Sequence, residues 1–176
     1  MEIVRPNKKQ LKLLKNLYIS SFPTAERKPF KLMQLWERCG KTEILSICDG
    51  DRFCGLIITV LYKDMVLIDY LATCEELRGT GIGSQSIKLI RERYRGKRIF
   101  LEVESTLKPC DDLNIRQRRK NFYLRNGLSE CGISVLLFGV EMELLTFDNP
   151  VSYEEYCRLY RHLAGNMING KISRVE

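Results

Sequence analysis

Leu11, Leu14, Tyr18 and Phe22, supported by Leu13 and Leu17, recur at helical spacing and predict a first helix that Asn7 can cap and Pro23 stops. Ahead of it, residues 2–5 alternate and end at Pro6, which suits a short strand. A polar segment with two prolines, residues 22–30, leads to a second helix over about 29–39, with Leu32, Leu35 and Trp36 on one face. From Glu43 the period falls to two. Residues 44–48 and 52–62 read as a hairpin around Asp49-Gly50-Asp51, and Lys63-Asp64 turns the chain into residues 65–73. That last strand is nearly all apolar and is expected to be central in a sheet, with one carboxylate, Asp69, set into it.

Gly83, Ile87, Ile90 and Tyr94 then mark a helix face ending at Gly96, and residues 99–104 form another strand. Ile99, Leu101 and Val103 share one face of it, which puts Glu102 and Glu104 together on the other. A basic helix over residues 114–126 is closed by Gly127, and residues 128–131, 133–138 and 140–147 supply two antiparallel strands interrupted by Gly132 and Gly139. Ser152-Tyr-Glu-Glu155 has capping-box spacing, and Tyr153, Tyr156, Cys157, Tyr160 and Leu163 give the helix behind it a buried face. Residues after Gly165 read as a frayed tail. No internal repeat is present.

The densest chemical signal lies between the apolar strand and the helix that follows. Gly79, Gly81 and Gly83 leave main-chain N–H groups unshielded, and a helix starting at about Gly81 aims its positive end at the same place, so the loop suits an anion. A dinucleotide fingerprint requires Gly-x-Gly-x-x-Gly and a P-loop requires Gly-Lys-Ser/Thr. Neither is present, and the preceding antiparallel run argues against both folds.

Composition narrows the ligand. The 176 residues are 44% hydrophobic and 29% charged, as in a single globular domain. Lysine and arginine outnumber the acids 29 to 22, which favours polyanionic partners such as nucleotides, coenzymes, nucleic acid or an acidic surface. The 7 cysteines are scattered, with no Cys-x-x-Cys, so neither a disulfide framework nor a metal site is expected. With no apolar run of membrane-span length and no secretory core at the start, the expected location is the cytoplasm. The single histidine, His162, is expected at the surface.

The loop Arg78-Gly-Thr-Gly81-Ile-Gly83 resembles the coenzyme-A motif of GNAT-type N-acetyltransferases, Gln/Arg-x-x-Gly-x-Gly/Ala, and Phe122-Tyr123-Leu-Arg-Asn-Gly127-Leu128 resembles their Tyr-x-x-x-Gly-Phe helix end. The likeness runs over residues 1–147 in element order and suggests a bacterial subgroup of that superfamily. It implies an α+β acyltransferase fold, with a mixed, mainly antiparallel twisted sheet flanked by helices. Residues 1–149 would be the acetyltransferase domain, and 150–176 an added C-terminal helix and tail packed on it. It further implies acetyl-CoA as cosubstrate. Leu71, Ala72 and Thr73 would offer backbone to pantetheine, Arg78, Gly79, Thr80, Gly81, Ile82, Gly83 and Ser84 would hold the pyrophosphate, and Tyr123 would lie near the sulfur. Arg116 stands where many relatives carry an asparagine that contacts the coenzyme.

Acetyl transfer from a thioester to an amine needs a base, donors for the carbonyl and an acid for the departing thiolate. By resemblance Tyr123 is the acid, since a phenol with a pKa of about 10 can still donate as a thiolate leaves. Asp69 leads as base, because desolvation in an apolar strand would raise its pKa. Glu104 follows it, and Glu26 in the early loop is third. Cys74 is expected to be a passive thiol. The basic helix is expected to be a solvated face that also attracts the coenzyme. The expected acceptor is a small primary amine or a peptide terminus, attacked directly in a ternary complex by a monomer or homodimer that binds neither nucleic acid nor membrane. A non-enzymatic acyl-CoA-binding module is the alternative reading, followed by an RNA-binding domain built on the basic helix.

Overall fold

The computed structural model describes residues 1–24, 26–147 and 149–175. The chain forms two compact units, Met1–Leu61 with Ile68–Arg95, and Tyr62–Leu67 with Gly96–Glu176.

In the first unit, strand β1 (Glu2–Val4) leads to helices α1 (Lys8–Ser21) and α2 (Phe30–Arg38), then strands β2 (Thr42–Asp49), β3 (Arg52–Tyr62) and β4 (Met65–Thr73), and helix α3 (Ile82–Arg93). The strands stand in the order β1-β2-β3-β4. Asn7 caps α1 through a full capping box, its side chain accepting from the Gln10 amide at 2.9 Å while Gln10 accepts from the Asn7 amide. The β2–β3 hairpin turns on Gly50 and Asp51, with Asp49 opposite Arg52, and Gly50 takes the positive φ that the turn requires. Ile47 pairs with Gly55 and Cys48 with Phe53, so Cys54 is the extra residue of a bulge. Ile44, Leu45, Ile47, Leu56, Ile57, Ile58 and Val60 are buried with Leu14, Met33 and Trp36 of the helices. At the end of α3, Tyr94 donates to Glu43 and meets Thr59, while Arg93 bonds the same carboxylate at 3.1 Å. Burial and Glu43 push the Tyr94 phenol up to about 12, so it stays a donor.

The second unit holds β5 (Arg98–Glu104), α4 (Leu113–Arg125), β6 (Ser129–Leu137), β7 (Val140–Thr146), α5 (Tyr153–Ala164) and β8 (Ile172–Arg174), with strand order β5-β7-β6-β8 and antiparallel pairing throughout. Ser152 and Glu155 make the expected capping box, and Tyr156, Leu159, Tyr160 and Leu163 bury the inner face of α5. Each such side chain contributes about 1.5–3 kcal/mol against about 1 kcal/mol for the cap, so packing decides where α5 lies and the cap decides where it starts.

The tail corrects the sequence expectation. It does not fray after Gly165. A 3-10 turn (Gly165–Ile168) buries Ile168, and β8 then adds to β6, with Val135 opposite Arg174 and Leu137 opposite Ile172. The Phe138 amide donates to the Lys171 carbonyl and the Val175 amide to that of Ser134. The outer edge of β6 presents unpaired backbone groups, and a short polar segment suffices to cover them, which is why no hydrophobic pattern announced it.

Arg98 joins this unit's first strand to its last helix, bonding Glu155 at 2.7 and 2.9 Å and Asp64 at 2.7 Å. The guanidinium holds the Glu155 carboxyl down at about 2, against an ordinary 4.5. A carboxyl depressed in the folded state stabilises fully above its unfolded pKa and loses that contribution as pH falls through the folded one. Glu155→Gln keeps the cap acceptor and removes the charge. Its thermal midpoint should lie below wild type at pH 7, with the gap closing between about pH 4.5 and 2, as followed by circular dichroism melts.

Candidate active site

Thr73 ends β4, and the chain passes through a 3-10 turn (Glu75–Leu77) whose Leu77 is buried, then exposes Arg78, Gly79, Thr80 and Gly81 before α3 begins. Thr80 Oγ1 donates to the Leu77 carbonyl at 2.7 Å, tightening the loop from inside. Gly79 and Gly81 have φ of +78° and +89°, which favour glycine, and a Cβ on either would meet open space. Gly81 is the N-cap and no side chain caps the helix. The first intrahelical bond near the cap runs from Gln85 to Gly81, so helix geometry leaves the amides of Ile82, Gly83 and Ser84 without acceptors inside α3. No acid occupies the first turn. The arrangement is an uncapped positive helix end beneath open space, which fits the phosphates of a coenzyme.

Leu71, Ala72 and Thr73, at the end of β4, are half-exposed, in contrast to the buried residues before them. Cys74 donates its amide to the Cys54 carbonyl. Gly55 of β3 lies directly against this end. A Cβ there would fall 2.4 Å from the Ala72 carbonyl oxygen and 3.1 Å from Thr73 Cα, so the strands approach as closely as a bare backbone allows.

Asp69 is not the isolated carboxylate that the apolar strand suggested. Its side chain is 4% exposed and ion-paired with Lys28 Nζ at 2.5 Å. Lys28 comes from the loop between α1 and α2, which Tyr70 ties to β4. The Tyr70 hydroxyl donates to the Glu26 carbonyl at 2.8 Å and accepts from the Lys28 amide at 3.1 Å. Tyr18 donates to the Lys28 carbonyl at 3.0 Å. The rings of Tyr18 and Phe22 each meet Tyr70 edge to face at 4.9 Å, and Phe30 packs on Tyr18. Burial and the neighbouring Tyr70 hydroxyl push the Tyr18 phenol far above its ordinary value. The loop of residues 22–30, of which Ala25 lies outside the described residues, is therefore anchored to the strand bearing Asp69 and carries a cation to it.

In the second unit, Glu104 accepts from Arg119 at 2.9 Å and pairs with Arg116 at 3.1 Å. Lys120 is buried between Glu143 and Glu130. Burial works to raise the Glu143 carboxyl, but Lys120 and the Thr106 donors outweigh it and hold the group below its ordinary value. The expectation of a solvated basic face on α4 holds for the exposed Arg118 and Arg125 and is corrected for Arg116, Arg119 and Lys120. Three of its cations are spent on carboxylates of the sheet, because an α-helix laid on charged sheet positions must neutralise them. Tyr123 follows on this helix, half-buried, its ring 5.1 Å from that of Phe122. Burial raises its phenol, and among the described residues its hydroxyl has no hydrogen-bond partner. Among the described residues, no cluster of His, Cys, Asp and Glu could hold a metal ion, and no helix is long and apolar enough to cross a membrane.

The model of the Acetyltransferase (GNAT) family matches residues 11–113, more than half of the chain. The chain belongs to the GNAT acetyltransferase family. No curated protein matches its sequence significantly. Among solved structures, a GNAT-family protein of Bacteroides thetaiotaomicron superposes with a TM-score of 0.77 at 22% identity, over 97% of this chain and 99% of its own. An aminoglycoside 6'-N-acetyltransferase complexed with coenzyme A gives 0.63 at 15% identity, over 86% and 100%. A variant of the spermidine N-acetyltransferase of Vibrio cholerae gives 0.63 at 12% identity, over 84% and 94%. The chain therefore has the GNAT fold, as the two sequence motifs implied.

Sequence reasoning missed Lys28 and Gly55 in this GNAT-family site, and it read Tyr70 only as the start of the stretch offering backbone to pantetheine, not as the tie to the early loop. Lys28 lies 41 positions from Asp69, and no local pattern separates it from its neighbours Arg27 and Lys31. Gly55 interrupts an apolar strand, and a lone strand glycine signals a bulge or a close backbone approach; here both are present. Gly55→Ala must push β4 or β3 aside, so it should cost about 1–3 kcal/mol and lower the midpoint of chemical denaturation. Wild-type stability in that variant would mean the end of β4 yields freely.

Proposed function

We propose that this protein is an acetyl-CoA-dependent N-acetyltransferase that moves an acetyl group to a primary amine by direct attack in a ternary complex. The observation that carries the proposal is the uncapped, glycine-opened N-terminus of α3 directly after β4, in a chain of this family. Gly79, Thr80 and Gly81, with the free amides of Ile82, Gly83 and Ser84, would hold the pyrophosphate, Arg78 would add charge from the exposed side, and Leu71–Thr73 would offer backbone groups to pantetheine. Acetyl-CoA supplies the activated acetyl group. Asp69 would take the proton of the attacking amine once Lys28 is displaced, and Tyr123, kept protonated by burial, would protonate the leaving thiolate. Glu104, committed to Arg116 and Arg119, is the lesser candidate for the base. Neighbours of the same fold named for aminoglycoside and spermidine acetylation support a small amine as acceptor.

Titration calorimetry with acetyl-CoA should give micromolar binding, and thiol release should follow with at least one member of a panel of polyamines, aminoglycosides and peptide amines. No binding would overturn the assignment, while binding without turnover across a broad panel would favour a coenzyme-binding module. Tyr123→Phe should lower turnover about a hundredfold with coenzyme affinity nearly unchanged. Unchanged turnover would remove Tyr123 from the reaction.

A further inference from the structure

A carboxylate buried in an apolar strand requires a cation, and the cation that Asp69 has found comes from a mobile kind of side chain. Lys28 Nζ rests on the Asp69 carboxylate and 5.2 Å from the centre of the Tyr70 ring. A carboxylate beside an aromatic face is ammonium-binding chemistry, and its present occupant is an ammonium. The Asp69 side chain is 4% exposed and that of Lys28 19%, so the lysine is the more accessible member of the pair.

The backbone of Lys28 is held apart from its ammonium. Its backbone amide donates to the Tyr70 hydroxyl and its carbonyl accepts from Tyr18. These bonds do not involve Nζ. They would persist if the ammonium moved away from Asp69. On β4, Asp69 and Leu71 are two positions apart and share a strand face, so the seat adjoins the stretch assigned above to the pantetheine.

We propose that Lys28 is a built-in stand-in for the acceptor: its ammonium occupies the seat formed by Asp69 and Tyr70, and the acceptor is an unbranched primary alkylammonium that displaces it. The inference rests on the acetyltransferase reading for the identity of that acceptor. Exchange of one ammonium for another never leaves the buried carboxylate uncompensated, whereas a neutral acceptor would. The lysine stem, a straight four-carbon chain, shows the shape that the seat admits. Lys28 therefore sets specificity by competition: apparent affinity for the acceptor falls by the fraction of time the seat is open.

The test is titration calorimetry of 1,5-diaminopentane and n-pentylamine into the coenzyme-A-saturated protein, with 1-pentanol as the neutral control. If the seat is open about one-tenth of the time, Lys28→Met should bind both amines about tenfold more tightly than wild type. Lys28→Arg should bind no better than wild type, Asp69→Asn should bind neither amine, and 1-pentanol should bind to none of them. In turnover the gain in Lys28→Met should appear in KM rather than kcat. Lys28→Gln, which can still donate to Asp69, replaces the methionine variant if that one does not fold. Equal or weaker amine binding after removal of the Lys28 charge, or tight binding that survives Asp69→Asn, would overturn the proposal. Acetyl-CoA binding measured on the same proteins separates the two readings: coenzyme bound with no amine effect sinks the seat alone, and no coenzyme bound sinks the acetyltransferase.

Discussion

The Tyr70 hydroxyl is the contact on which the first unit's site depends. It donates to the carbonyl of Glu26 and accepts from the amide of Lys28, so one side chain of β4 satisfies two backbone groups of a loop that has no secondary structure to satisfy them. The edge-to-face packing of Tyr18 and Phe22 on the same ring supplies the apolar half of the attachment. Because the loop is fixed this way, the Lys28 side chain is delivered to Asp69, the adjacent residue of the strand. A proline-rich connector becomes the wall of a candidate acceptor seat.

Close backbone approach governs the other end of the same strand. Gly55 lets β3 lie against the Ala72 carbonyl, and beyond Thr73 the chain turns on glycines that leave the start of α3 bare. Both features come from missing side chains. One permits packing that a Cβ would forbid; the other leaves amides free for a ligand instead of for a cap. The proposed coenzyme loop thus follows this strand, and the proposed amine seat at Asp69 lies a few residues before it.

The second unit uses charge for a different purpose. Arg98 gathers Asp64 and Glu155, Lys120 gathers Glu130 and Glu143, and Arg116 and Arg119 share Glu104. Each network joins a helix or turn to the sheet. Removing one partner would strand a half-buried or buried charge, so these networks fix the placement of α4 and α5. The net positive charge of the chain is therefore a poor guide to where an anion binds, since many of α4's cations already have carboxylates.

What the chain order determined by itself is local. Helix starts at Asn7 and Ser152, the glycine turn at Gly50, the Gly79-to-Gly83 loop and the buried faces of α1 and α5 all follow from residues within one or two turns of each other, where spacing and φ preference act directly. The two GNAT motifs were legible for the same reason, being runs of backbone-determining residues. Tertiary structure alone decided the partners. Lys28 on Asp69, Lys120 on Glu143, Gly55 under Ala72 and β8 on the edge of β6 join residues far apart in the chain. An ion pair or an edge strand needs only a compatible group at the right distance, and many lysines and many short polar segments qualify. Which one arrives is set by how the sheet and loops pack, a global outcome that no window of sequence contains.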